Sequence, residues 1–166
     1  MSKKIIIVDS SSLIALERGD LIRLLDKIDY DIRIPESVLT EIGELKDNFK
    51  NFKIENLSGK TKETAENFKK LEIGKGEAEC IALSNKLNLR FIICDDIKLT
   101  RQLFFSNNEK FKSILLFGFS FFLHNFYKKG LIKDIWPHFF SIIKECNWER
   151  SEVSTHNYAF LKKMGY

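Results

Sequence analysis

The hydrophobic pattern opens with an unbroken apolar run, Ile5 to Val8, that stops at the carboxylate of Asp9. A half-exposed strand would alternate apolar and polar residues, so this run predicts a strand buried on both faces. A second run, residues 91–94, stops in the same way at Asp95 and Asp96. The pattern therefore predicts two buried strands that end in acids.

Elsewhere the spacing of apolar residues alternates between that of helices and that of strands. Helices are predicted over residues 10–28 with a break near Gly19, from Glu36 onward, and over residues 74–87, 119–128, 132–146 and 149–163. Further strands are predicted at residues 30–35, within the lysine-rich segment 46–75 before an exposed helix, and at 114–117. This alternation predicts an α/β fold, with a mainly parallel central sheet flanked by helices and with additional C-terminal helices.

The length of 166 residues predicts one domain, with a core over about residues 4–118 and a C-terminal helical extension over 119–166. A composition of 44% hydrophobic and 30% charged residues excludes the disordered and fibrous classes. The longest apolar run, Ile114 to Leu123, is shorter than the ~20 residues of a membrane span. The opening residues also lack the hydrophobic segment of a signal peptide, so we expect a soluble protein with no membrane association.

The formal net charge of +4 permits a polyanionic partner but does not establish one. Cys80, Cys94 and Cys146 are odd in number and widely spaced, which favours a reduced, cytoplasmic setting over a disulfide framework. The three histidines fall late in the chain, so the sequence does not indicate a Ser-His-Asp or Cys-His nucleophile.

Acids that follow parallel strands gather at one edge of the sheet, where α/β proteins bind their ligands. Asp9 and the pair Asp95 and Asp96 are expected at that edge. Each alone is also explained as a helix N-cap, a position that aspartate favours. Their joint placement is the stronger indication of a site.

Two predicted helices supply further acids. Glu41 lies three residues after Val38 and four before Leu45, so helix geometry places it on the same inward face. Glu77 and Glu79 open the next helix, where the helix dipole favours negative charge. Because these two project about 200° apart, we favour Glu77 for the site and assign Glu79 a supporting or solvent-facing position.

Carboxylates that converge repel one another and destabilise the fold unless a cation neutralises them. Oxygen ligands of this kind suit a hard ion, Mg²⁺ or Mn²⁺. Asp9 would then be a metal ligand. Ser11, in the first helical turn, would hydrogen-bond a ligand or a metal-bound water.

Four motifs, "IIIVDSSSLIAL", "IPESVLTEI", "GKGEAECIALS" and "FIICDDIKLTRQL", resemble those of the PIN-domain nucleases in order and spacing. The resemblance spans residues 5–103, and "GFSFFLHNFYKKGLI" is similar to the segment that follows in one prokaryotic branch. It implies a catalytic, metal-binding acidic site made of Asp9, Glu41, Glu77 and Asp96. Many relatives have Thr where this chain has Cys94, so Asp95 stays open as an alternative metal ligand to Asp96.

The resemblance further implies a metal-dependent endoribonuclease that hydrolyses RNA phosphodiester bonds. Such proteins are very often the toxin of a prokaryotic type II toxin–antitoxin pair, so the implied partners are RNA and a small antitoxin. Dimerisation is common among such relatives, although nothing in the sequence indicates it.

Basic residues would hold the RNA. Arg101 resembles a basic residue of that prokaryotic branch and would contact phosphate, with a surface ion pair as the alternative. Lys60, Lys62 and Lys75 are candidates for contacts with the RNA backbone, which would not read its sequence.

The competing interpretation is a PIN-like module that binds protein or RNA without cleaving it. Its binding face would be formed by six aromatic residues, Phe117, Phe119, Phe121, Phe122, Phe126 and Tyr127. The alternative role of these side chains is packing in the core.

Overall fold

The computed structural model describes residues 3–105 and 113–166, without the side chains of residues 103–105. The strands are β1 Lys4–Ile7, β2 Tyr30–Pro35, β3 Phe52–Glu55, β4 Phe91–Ile93 and β5 Leu115–Phe117. The helices are α1 Ser10–Arg18, α2 Glu36–Ile42, α3 Gly59–Lys69, α4 Lys75–Lys86, α5 Ile97–Phe105, α6 Ser120–Lys128, α7 Trp136–Glu145 and α8 Glu152–Lys163. Two 3-10 segments, Ile22–Lys27 and Gly43–Asn48, follow α1 and α2.

The strands pair in parallel, β1 with β2, β2 with β3, and β4 with β5. A parallel bridge between Val8 and Ile93 joins the two groups, and the Asp9 amide donates to the Ile93 carbonyl at 2.8 Å. The strand order is therefore β3-β2-β1-β4-β5. The chain changes direction across the sheet between β1 and β4, the kind of switch point beside which α/β sheets bind ligands.

The core explains the unbroken apolar runs. Ile6, Ile7 and Val8 have no exposed surface, and helix α4 packs against β1, β2 and β4. Burying each such side chain stabilises the fold by about 1.5–3 kcal/mol. One apolar cluster extends from Ile6 to Leu161, so the C-terminal helices share this core.

The predicted fold class, an α/β fold with a parallel sheet and flanking helices, is confirmed. The division of the chain into one domain stays a prediction. The break predicted near Gly19 is confirmed, because α1 spans Ser10–Arg18 with Gly19 as its C-cap, and the second part of the predicted helix is instead a 3-10 segment. Helix α5 was not predicted, although the sequence allowed Asp95 and Asp96 to be helix N-caps.

The C-terminal aromatic residues divide between core and surface. Phe119, Phe122 and Phe126 are fully buried, whereas Tyr127 is exposed. Core packing therefore accounts for half of the aromatic face that a non-catalytic binding module would use. Within the described part of the chain, none of the helices has the length and apolar character needed to cross a bilayer.

Candidate active site

Asp9 ends the first buried strand and begins the first helix. It is 1% exposed, and its Oδ2 accepts hydrogen bonds from the Ser11 amide at 3.1 Å and the Ser11 hydroxyl at 2.7 Å. Its Oδ1 is buried and has no hydrogen-bond partner among the described residues. A buried carboxylate oxygen left unpaired is costly, so this atom calls for a cation or a donor from outside the protein.

Ser11 and Cys94 hold the other oxygen of Asp9. The Ser11 hydroxyl accepts from the Asp95 amide at 2.9 Å while its single hydrogen is used on Asp9. The Cys94 thiol lies 3.5 Å from Asp9 Oδ2, so it serves as a weak donor to the same atom. The structure thus places Ser11 as a support for Asp9, which differs from the predicted contact with a ligand or a metal-bound water.

Glu77, in the first turn of α4, lies beside two other acids. Burial raises the pKa of its carboxyl group to about 7, and the charge of Asp9 together with a hydrogen bond and charge interaction with Asp96 adds to the effect. A carboxyl group that shares a site with two negative neighbours resists ionisation. Asp9, Glu77 and Asp96 therefore form one electrostatically coupled group.

Each of these acids also stands at the start of a helix. Asp9 is the N-cap of α1, Asp96 accepts from the Leu99 amide at 3.0 Å at the start of α5, and Glu77 lies in the first turn of α4. The capping role considered for the aspartates is thus present. The positive ends of three helix dipoles face the acids and offset part of their repulsion.

Glu41, on α2, contacts the first residue of α1 at the same edge of the sheet. Glu41 is exposed, which differs from the inward face predicted for it, but its Oε2 accepts from the Ser10 hydroxyl at 2.5 Å. Burial raises the pKa of the Cys80 thiol, and the charges of Asp9, Glu77 and Glu41 raise it further. The charge of Glu79 also raises the pKa of this thiol.

Asp95 is separated from these acids by its hydrogen bonds. It is 4% exposed, its Oδ2 accepts from the Ser12 hydroxyl at 2.6 Å and the Phe119 amide at 2.8 Å, and its Oδ1 accepts from Asn157 Nδ2 at 2.6 Å. Burial raises its pKa to about 6. Both oxygens are engaged inside the protein, whereas Asp96 borders Glu77.

Two predicted supporting residues make other contacts. Glu79 accepts from the Ser37 hydroxyl at 2.5 Å and the Ser37 amide at 3.3 Å, and so ties α4 to α2. Arg101 forms an exposed ion pair with Glu152, which is the predicted alternative to a contact with phosphate.

The three candidate lysines do not form one cluster. Lys75 is the first residue of α4, 62% exposed, with its Nζ 4.0 Å from Glu79 Oε1. Lys60 and Lys62 are exposed on α3, and Lys60 lines a groove of about 450 Å³ together with Lys86. Lys75 therefore pairs with Glu79, and Lys60 lies in a groove between α3 and α4.

The ligand type of these acids suits a metal ion better than their spacing does. Their donors are carboxylate oxygens, and the unpaired Oδ1 of Asp9 fits a hard divalent cation. Over residues 3–105 and 113–166, however, no three His, Cys, Asp or Glu residues form a group that could hold a metal ion.

Sequence reasoning missed several residues that build the site. Ser10 and Ser12 were treated only as a polar run, yet they hold Glu41 and Asp95. Asn157 is fully buried 62 positions after Asp95 and was not predicted as a site residue. A polar residue on the inward face of a predicted helix was the signal available for Asn157.

The parallel α/β fold with acids at its switch point is a fold of the nuclease type. The chain belongs to the PIN-domain family, whose model matches residues 5–161. Members of this family are generally nucleases and typically use divalent metals. Comparison with curated proteins and with solved structures found no match.

Proposed function

We propose that this protein is a metal-dependent endoribonuclease whose site is formed by Asp9, Glu41, Glu77 and Asp96. One observation carries the proposal: burial and the charges of Asp9 and Asp96 raise the pKa of Glu77, and a buried oxygen of Asp9 has no partner among the described residues. Such a group is unfavourable without a cation and favourable with one. Family membership supplies the reaction class, and RNA as the substrate is part of the proposal.

Each acid has a distinct part in this proposal. Asp9 and Asp96, fixed by α1 and α5, would hold Mg²⁺ or Mn²⁺ together with Glu41 and Glu77. A bound divalent ion supplies an activated water and stabilises the charge on the leaving oxygen. Glu77, with its pKa near neutrality, would exchange a proton at its carboxylate when the site is empty. We assign Asp96 rather than Asp95 as the ligand, because both oxygens of Asp95 are hydrogen-bonded inside the protein.

Lysines flanking the site would hold the RNA strand by its phosphates. Lys75 begins α4, two residues before Glu77, and Lys60 and Lys62 lie along α3. Contacts of this type add affinity that falls with salt and carry no base specificity. Arg101, already paired with Glu152, is left out of the proposed RNA contacts.

The test compares Asp9→Asn with the exposed control Asp47→Asn. We expect wild type and Asp47→Asn to cleave RNA with Mn²⁺ but not with a chelator, and to gain Tm when Mn²⁺ is added. Asp9→Asn should fold, as judged by circular dichroism, yet lose both cleavage and the Mn²⁺ effect. Undiminished cleavage by folded Asp9→Asn would exclude the mechanism.

The biological role we propose is that of a toxin neutralised by a small antitoxin protein. This rests on the family alone, so it has its own test. Induction of wild type in a bacterial host should slow growth, whereas induction of Asp9→Asn at equal protein level should not. Equal growth of both strains would remove the toxin role while leaving the nuclease proposal to its own assay.

A further inference from the structure

Helix α4 begins with an unusual pair of glycines, Gly74 and Gly76, on either side of Lys75. Gly76 is buried within the helix and has no positive φ, so its backbone does not require glycine. Glycine inside a helix is less favourable than alanine by about 1 kcal/mol. A reason other than backbone conformation must therefore account for Gly76.

The space that a side chain would occupy at position 76 is taken by Glu41. A Cβ built there would lie 2.8 Å from Glu41 Oε1 and 3.1 Å from its Oε2. The same carboxylate accepts from the Ser10 hydroxyl at 2.5 Å, and Ser10 directly follows Asp9. The Glu41 carboxylate thus lies between the first turns of α1 and α4.

Gly74 likewise leaves space for the carboxylate of Glu77. A Cβ at position 74 would collide with the Glu77 carboxylate. Each glycine therefore leaves room for the carboxylate of one proposed ligand. The pair sets where two side chains from different helices approach the site.

We propose that Gly76 is a positioning residue that lets the Glu41 carboxylate reach the metal site, an inference that rests on the proposed function. The Glu41 carboxylate is the far end of a flexible, exposed side chain, so a methyl group at position 76 displaces it without disturbing the core. A purely structural role predicts the opposite result, a loss of stability on substitution. The two roles are separable by experiment.

The experiment measures Mn²⁺ affinity by isothermal titration calorimetry and Tm in chelator for five proteins. They are wild type, Gly76→Ala, Glu41→Ala, the Gly76→Ala/Glu41→Ala double variant and Ser141→Ala, an exposed helix position that controls for helix propensity. Gly76→Ala should keep or raise the Tm in chelator and weaken Mn²⁺ binding about tenfold or more, as loss of a supporting residue does at other metal sites. Ser141→Ala should bind Mn²⁺ as wild type does.

The double variant decides whether Gly76 acts through Glu41. In the Glu41→Ala background no carboxylate remains to be displaced, so Gly76→Ala should weaken Mn²⁺ binding no further. Wild-type affinity in Gly76→Ala, or an equal further loss in the double variant, overturns the inference. Absence of Mn²⁺ binding by wild type overturns the proposed function itself, and the inference with it.

Discussion

Replacement of Glu77 by Gln tests whether the acids repel one another when no cation is bound. Burial and the charges of Asp9 and Asp96 raise the pKa of Glu77 to about 7. Its value in the unfolded chain is the ordinary one near 4.5. The folded protein therefore binds a proton more tightly than the unfolded chain, and its free energy of unfolding falls as the pH rises from about 4.5 to about 7.

The magnitude follows from the size of this shift. Ionising Glu77 in place costs about 3 kcal/mol at 1.36 kcal/mol per pKa unit, reduced to roughly 1–2 kcal/mol because the side chain is partly exposed to solvent. Gln has nearly the same shape and cannot ionise. At pH 8 in chelator, Glu77→Gln should therefore raise the Tm by about 3–6 °C for a chain of this length. At pH 5, just above the pKa of Glu77 in the unfolded chain, the difference should be small.

The assay is thermal unfolding by circular dichroism from pH 5 to pH 8, in chelator and with Mn²⁺. Glu63→Gln, an exposed position on α3, controls for the loss of one negative charge and should show no change of this kind with pH. Mn²⁺ should raise the Tm of wild type more than that of Glu77→Gln. A difference that does not change with pH, or a wild type more stable than Glu77→Gln at pH 8, would refute the repulsion argument.

Three further substitutions test the contacts behind the site. Asn157→Ala leaves an oxygen of Asp95 and a buried amide without partners, so denaturant titration should show a loss of about 2–4 kcal/mol. Exposed Asn67→Ala should stay within about 0.5 kcal/mol of wild type. Asp95→Asn should also destabilise the fold, because the three groups hydrogen-bonded to Asp95 are all donors and the new amide adds a fourth donor. Unchanged stability would contradict this hydrogen-bond assignment. Arg101→Ala should change stability by less than about 1 kcal/mol, because its pair with Glu152 is exposed.

Much of the fold was predictable because the hydrophobic pattern is local and strong. Tyr30–Pro35 was predicted as β2 with both bounds correct, and unbroken burial of Ile6 to Val8 followed from the lack of alternation. The break predicted near Gly19 is confirmed, because α1 ends at Arg18 with Gly19 as its C-cap. Residues 21–28 keep helical spacing, but their backbone tightens into a 3-10 segment after Gly19, and apolar spacing alone does not separate these two helix types.

The positions of Asp9 and Asp96 at strand ends were predictable from the sequence. The hydrogen bonds around the acids were less so. Asp9 and Asp96 follow strands, and strand ends meet at one edge in any parallel sheet. The inward face predicted for Glu41 was not found, because its carboxylate instead crosses to Ser10. The hydrogen bond from Asn157 to Asp95, on which the proposed choice of Asp96 as ligand partly rests, joins distant parts of the chain and was not predicted.

The link between Asp95 and Asn157 also bears on the order in which the molecule assembles. Sixty-two positions separate the two residues. The intervening chain must therefore close into a loop before the side chains at the carboxyl end of β4 take their final positions. Until α8 docks, the Asp95 carboxylate lacks one of its three donors. The final arrangement at the carboxyl end of β4 should therefore be reached late in refolding, after the burial of β1 and β2.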